Sequence, residues 1–257
     1  MADPRVAAFW CRIPSRPNFG DALTPWLIER ITGRYPRFVA ADDARPKILV
    51  VGSIIGYADA SCTVWGSGII DRRDTIGRGA RLLAVRGPLT RARALACGVP
   101  CPEVYGDPAL LLPRWYRPQA PVAHELGLIA HFADRPRLGD AWQRIAALRV
   151  IDIQDPIASV IDQIAGCARI ASSSLHGIIA AHAYGIPAVW IKFADLPSGD
   201  DSKFHDYYLS IGRPPPAPLR LHYAEPDAAA IARAPAEPPG GLDLDPLWRA
   251  CPFRGAA

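Results

Sequence analysis

Apolar residues along this chain fall into short uniform runs that alternate with longer stretches of helical spacing. Val6 to Cys11, KILVV (Lys47 to Val51), CTVW (Cys62 to Trp65) and ARLLAV (Ala80 to Val85) are strand-length runs without polar alternation. Strands of that kind are covered on both faces, which is the habit of a parallel sheet. Between them, ALTPWLIERITG reads as a helix that Asp21 caps and Gly33 ends, and RGPLTRARALACG as a helix with Pro88 at its start and Gly98 past its end. The rhythm breaks over EVYGDPALLLPRWYRPQAP and resumes at Leu126.

The second run has the same grammar. LGLIAHF, RVIDI, ARIAS and PAVWI are expected as strands, and DAWQRIAAL, PIASVIDQIAG and LHGIIAAHAYG as helices. After Ile191 the pattern weakens. FADLPSGDDSKFHDYYLSIG predicts a loop and one helix, RPPPAPLR a stiff connection, EPDAAAIARA a short helix, and DPLWRACPFRGAA is ambiguous. The expectation is an α/β protein of two Rossmann-like parallel-sheet halves, residues 1–118 and 119–257, meeting near 117–121 with a cleft between them. The tail either folds back on the N-terminal half or touches a membrane interface.

Composition narrows the classes. Half of the 257 residues are hydrophobic and 21% are charged, as in an ordinary globular chain. No apolar run reaches the length of a membrane span, and the N-terminus lacks the basic-then-apolar order of a signal peptide, so the chain reads as cytoplasmic. The six cysteines have no zinc-like spacing, which predicts reduced thiols and no metal centre. The net charge of +4 rests on arginine, without a lysine stripe or interleaved aromatics, and that disfavours nucleic acid.

Candidate chemistry gathers after strands, where open parallel sheets hold their ligands. NFGD (Asn18, Phe19, Gly20, Asp21) follows the first strand, GSIIG (with Gly52 and Ser53) and the GSG after Trp65 follow the next two, and SSSLHG follows ARIA. The glycine turns fit neither GxGxxG nor the P-loop pattern and are equally tight turns. Arg86 follows LLAV and offers a planar fork for a carboxylate or phosphate. His176 lies on a helix's first turn, where amides and dipole favour an anion, with Ser172, Ser173 and Ser174 beside it. His182, deeper in the same apolar helix, reads as a packed core residue.

The ordered set NFGDALTPWLIERITG, VVGSII, VWGSGI, AVRGPLTRARALACG, YGDPALLLP and SSSLHGIIAAHAYGIPAVWI resembles the polysaccharide pyruvyl transferase family, with the xanthan-type ketal-pyruvate transferases nearest in pattern. The resemblance implies a GT-B-like arrangement of the halves, phosphoenolpyruvate as donor without a further cofactor, and a sugar acceptor on a lipid-linked oligosaccharide at the inner membrane face. It carries the family's histidine over to His176, the expected catalytic acid, and one donor arginine to Arg86; the residues' own placement adds Asp21 as a proton acceptor and Ser172 to Ser174, Gly52 and Ser53 on the donor. The same reading of the strand ends gives Asn18, Phe19, Gly20 and Trp65 to the acceptor. Ser174 stands where many members carry arginine, so Arg169 and Lys192 are the candidate replacement cations. A nucleotide-sugar glycosyltransferase and a non-catalytic assembly protein are the competing readings.

Overall fold

The computed structural model describes residues 3–12, 16–119, 121–195 and 199–255. Among the described residues ten strands form two separate five-stranded sheets, every pairing parallel. The first contains β1 (Ala7–Phe9), β2 (Arg37–Phe38), β3 (Lys47–Leu49), β4 (Cys62–Trp65) and β5 (Arg81–Ala84), in the order β2-β1-β3-β4-β5. The second contains β6 (His124–Ile129), β7 (Leu148–Ile151), β8 (Cys167–Ser172), β9 (Ala188–Lys192) and β10 (Leu219–Arg220), in the order β10-β9-β8-β6-β7. Read from its own first strand, the second order is the first over again. The strand order therefore reverses between β1 and β3 in one sheet and between β6 and β8 in the other.

Seven α-helices among the described residues connect and cover the sheets: α1 (Phe19–Thr32), α2 (Pro88–Ala96), α3 (Ile157–Ala165), α4 (Leu175–Ala183), α5 (Ser202–Ser210), α6 (Ala228–Arg233) and α7 (Asp245–Arg249). Gly33 ends α1 in the left-handed conformation that glycine tolerates best, at φ 71°. At the other end of α1 the expected cap is displaced. Asn18 is the N-cap and Asp21 occupies the third helical position, because the chain turns helical as soon as it leaves the Pro17–Asn18 extension.

One expectation needs correction, and two features carried no signal in the pattern. DAWQRIAAL is not an α-helix but a short 3-10 turn, Asp140–Arg144, that seats the buried Trp142. The rhythm break over YGDPALLLP is itself ordered, as a 3-10 run Pro108–Arg114 whose Leu110, Leu111 and Leu112 are buried. β2 and β10 carry no sequence signal, because a two-residue edge strand is too short to show a period.

One apolar cluster runs through both halves. It takes Leu23, Leu27 and Ile28 from α1, Ile178 and Ile179 from α4, the three leucines of the 3-10 run, and Leu247 from α7. The tail closes onto the first sheet, where Trp65 donates its indole N–H to Leu247 O at 2.8 Å and stacks edge-on with Phe253. Of the tail's aromatic residues, Phe253 is buried and Trp248 is half-buried, edge-on to Trp115. No helix among the described residues is long and apolar enough to cross a membrane.

Candidate active site

The two reversal points face each other. A cleft of about 250 Å³ lies where they meet, lined after β1 by Cys11, Asn18 and Asp21, and after β3 by Gly52, Ser53 and Ile54. From the other sheet come His131 and Phe132 after β6, and Ser174, Leu175 and His176 after β8, with Lys203 from α5. Ligands of open α/β sheets sit at such switch points, outside the carboxyl ends of the strands. Here one cavity joins the switch points of both sheets. Its size suits a small metabolite rather than a drug-sized ligand.

The joint is held from both sides. Arg16 pairs with Asp152 at 3.0 Å and Asp155 at 3.1 Å, and the Phe19 N–H donates to Ile153 O at 3.1 Å, so the loop before α1 is tied to the loop after β7. The start of α1 is thereby pressed against the start of α4. Gly20 makes the approach possible: a Cβ there would lie 2.2 Å from His176 Nδ1.

His176 is 9% exposed and its Nε2 stands 3.6 Å from Oδ2 of the fully buried Asp107. That gap is too long for a hydrogen bond, and neither atom has another partner. Asp107 is fixed by its other oxygen, which accepts the Ala109 N–H at 2.9 Å and caps the 3-10 run. Asp21 lies on the cleft side, where burial raises its pKa against the opposing pull of His176 and of the Asn18 amide, which donates to it at 3.3 Å. Burial also pushes the Cys11 thiol up to about 11, so it lines the cleft as a neutral group. His131 is pushed down to about 4 by burial and by the charge of Lys203. Its Nδ1 accepts the Ala133 N–H at 3.2 Å.

Six of the residues singled out from sequence line this cleft: Asn18, Asp21, Gly52, Ser53, Ser174 and His176. The others are elsewhere, for physical reasons. Arg86 is at the strand end as expected but wholly buried. Its guanidinium donates to Asp206 Oδ2 at 3.1 Å, to Ser53 Oγ at 2.8 Å and to the Ile69 carbonyl, so it offers the cleft no free fork. Gly68 packs on that guanidinium, with room for no Cβ, which makes the GSG segment a packing turn rather than a phosphate cradle. Trp65 and Phe19 are core side chains. Ser172 bonds the backbone of Ile129 and Ser174, and Ser173 accepts the His131 N–H and donates to Asp134. Arg169 binds the Ala232 and Ala234 carbonyls beside α6, outside the cleft. Lys192 is paired with Asp195 and Asp201, both at 2.7 Å, in a neighbouring cavity of about 210 Å³.

The sequence reading passed over His131, Asp107 and Lys203. Asp107 carried a faint signal in its Asp-Pro step, the pattern of a capped turn, and His131 lay in the strand-end position that drew attention elsewhere. Nothing in the pattern around Lys203 marks it. Among the described residues no group of three or more His, Cys, Asp or Glu is arranged to hold a metal.

The geometry defines an α/β protein with a cleft between two facing sheet edges, entered by two helix N-termini and lined, among the described residues, by the single carboxylate of Asp21. A family profile described as polysaccharide pyruvyl transferase matches residues 18–193, more than half of the chain. A relative, an uncharacterized protein of Acanthamoeba polyphaga mimivirus, is 30% identical over 208 residues, covering 76% of this chain and 71% of its own. No solved structure matches the chain. The chain belongs to the polysaccharide pyruvyl transferase family, whose name describes transfer of pyruvate in polysaccharide synthesis.

Proposed function

We propose that this cleft binds phosphoenolpyruvate and transfers its pyruvyl group to two hydroxyls of one sugar, forming a cyclic ketal and releasing phosphate. The observation that carries this reading is the shared cleft itself. The N-termini of α1 and α4 converge on it, and helix N-termini favour anions through free amides and dipole. Asp21 is the only carboxylate in its lining among the described residues, and burial disfavours its charge. A donor with a phosphate and a carboxylate on one small frame fits such surroundings.

The chemistry follows from the donor. A proton delivered to the methylene carbon leaves an oxocarbenium-like centre at the neighbouring carbon. A sugar hydroxyl attacks that centre and loses its proton. A second hydroxyl of the same sugar then displaces phosphate from the same carbon, loses its proton, and closes the ketal ring. His176 is the acid, with Asp107 facing its Nε2 and Gly20 closing the other edge of the ring. Asp21, on the opposite helix, accepts a hydroxyl proton. Catalytic hydrogen bonds are often long in an unliganded site, and the 3.6 Å gap to Asp107 is of that kind. The reaction so written uses no cofactor beyond the donor.

The acceptor in this reading is a hexose of a lipid-linked oligosaccharide, met beside Asn18 and Asp21, with any membrane contact peripheral. Incubation with phosphoenolpyruvate and such an acceptor is expected to release inorganic phosphate only when both are present. Nucleotide release from a nucleotide sugar under the same conditions would identify a glycosyltransferase instead. His176→Gln, which keeps a hydrogen-bond donor but shuttles no proton near neutrality, is expected to cut turnover by about two orders of magnitude or more while the protein still folds and binds donor. Normal turnover in that variant would remove His176 from the chemistry.

A further inference from the structure

We propose that the sugars next to the pyruvylated one lie in a second groove, continuous with the cleft along α1, where Trp26, Tyr35, Arg12 and Glu29 recognise them. The inference rests on the reading above for the acceptor's being an oligosaccharide that is modified in the cleft.

The cleft of about 250 Å³ has room for a small donor and one sugar ring, so the rest of an oligosaccharide has to leave it. A cavity that shares Lys203 with the cleft is about 210 Å³ and lined by acids held in ion pairs, Asp195 and Asp201 with Lys192 and Asp200 with Arg72. A groove of about 560 Å³ shares Cys11 with the cleft instead. Both halves of the protein contribute to it, since Ile157 at the start of α3 is in its lining.

α1 is the path from cleft to groove. Asn18 and Asp21 at its start line the cleft, and Ala22, Pro25, Trp26 and Glu29 line the groove. Those four are spaced i, i+3, i+4 and i+7, which is one face of a helix. At about 1.5 Å of rise per residue, Trp26 is about 7.5 Å and Glu29 about 12 Å along the axis from Asp21. Those are steps suited to the next one or two rings of a glycan that has its modified sugar beside Asp21. Pro25 adds an acceptor at the junction, because it has no N–H to donate to the Asp21 carbonyl four residues before it.

The lining has the chemistry of a saccharide site. A sugar ring presents apolar C–H faces and a rim of hydroxyls, each both donor and acceptor. Trp26 is half-buried on α1, and Tyr35 is 53% exposed and meets Trp10 edge-on, with ring centroids 6.3 Å apart. Amphipathic rings of this kind cover an apolar face with little side-chain entropy to lose. Glu29 is exposed, and among the described residues neither it nor Arg12 makes an ion pair. Arg12 lies over the Phe38 ring instead, 3.5 Å from its centroid. A carboxylate that accepts and a guanidinium that donates serve the two sides of hydroxyl recognition. The same Glu29 disfavours an anionic lipid surface, and a concavity of this size suits a ligand more than a flat interface.

The test is saturation-transfer NMR titration of wild type, Trp26→Ala, Trp26→Phe and Glu29→Ala with gluco-, galacto- and manno-oligosaccharides of one to four residues. The best-bound trisaccharide is expected to bind wild type about tenfold or more tighter than its own monosaccharide, and Trp26→Ala to bring that ratio close to one. Trp26→Phe should recover part of the ratio, and Glu29→Ala should lower it by about fivefold or more. An unchanged ratio in folded Trp26→Ala overturns the proposal and leaves the pyruvyl-transfer reading standing. If Trp26→Ala fails to fold, Glu29→Ala decides in its place, because alanine at an exposed helix position keeps the helix. Length-dependent binding that these variants lose, with no phosphate released from phosphoenolpyruvate beside the bound saccharide, supports the groove and overturns the pyruvyl-transfer reading. Absence of any length dependence in wild type overturns the proposal. So does Trp26-dependent binding to vesicles of phosphatidylcholine and phosphatidylglycerol without saccharide binding, which would make this surface a membrane contact.

Discussion

Arg86 Nε and Asp206 Oδ2 are 3.1 Å apart, and neither side chain has any exposure to solvent. The pair joins a strand end of the first sheet to the helix between β9 and β10 of the second. Breaking a buried pair leaves the surviving charge uncompensated and typically costs about 3–5 kcal/mol. Arg86→Ala and Asp206→Ala are therefore expected to lower the melting temperature by about 10 °C or more. Thermal denaturation followed by circular dichroism checks this. An Arg86→Ala protein with unchanged melting that loses only donor affinity would return Arg86 to the role of an anion grip.

Gly20 and His176 yield a sharper dissociation of stability from function. Gly20→Ala puts a methyl 2.2 Å from the ring nitrogen, so the imidazole has to move away. Turnover is expected to fall by about tenfold or more, because a displaced proton donor loses its alignment. Asp107→Asn keeps an oxygen for the Ala109 N–H but removes the charge facing Nε2. Its expected signature is a lowered kcat with little change in KM for the donor. Steady-state kinetics beside melting curves distinguishes these outcomes from unfolding, and a rise in KM alone would show Asp107 to be a binding element only.

His182 predicts how stability depends on pH. Its Nε2 donates to the Glu237 carbonyl at 3.0 Å and its Nδ1 accepts the Tyr207 hydroxyl at 2.9 Å, so both nitrogens are committed in the neutral form. Burial pushes its pKa down to about 4 from 6.5, and His131 behaves likewise. Between those values the unfolded chain binds protons that the folded chain refuses, so stability rises with pH through that window. The protein is expected to be fully stable, as far as these rings are concerned, above about pH 6.5 and to lose stability as the pH falls toward 4. His182→Gln should start from a lower melting temperature at pH 7 and lose less on acidification. A wild-type melting temperature that is flat from pH 7 to 5 would contradict the neutral assignment.

The sequence by itself determined the α/β alternation and the two halves. Uniform apolar runs such as Leu126 to Ile129 can only be strands covered on both faces, and Gly33, Gly98 and Pro88 mark helix ends through backbone freedom or its lack, which are local properties. It also brought His176, Asp21, Asn18 and Ser53 forward, because residues that follow strands must gather at the carboxyl edge of a parallel sheet. What it could not decide is which way a side chain faces once it reaches that edge. Arg86 and Lys203 show the difference. The arginine, in the more suggestive position, is turned inward by Asp206, whereas the lysine is set against the cleft. That exchange depends on α5 crossing from one half to the other and on the pairing of charges 120 residues apart in sequence. Burial and partner choice are set by the packed whole, and no local pattern carries them.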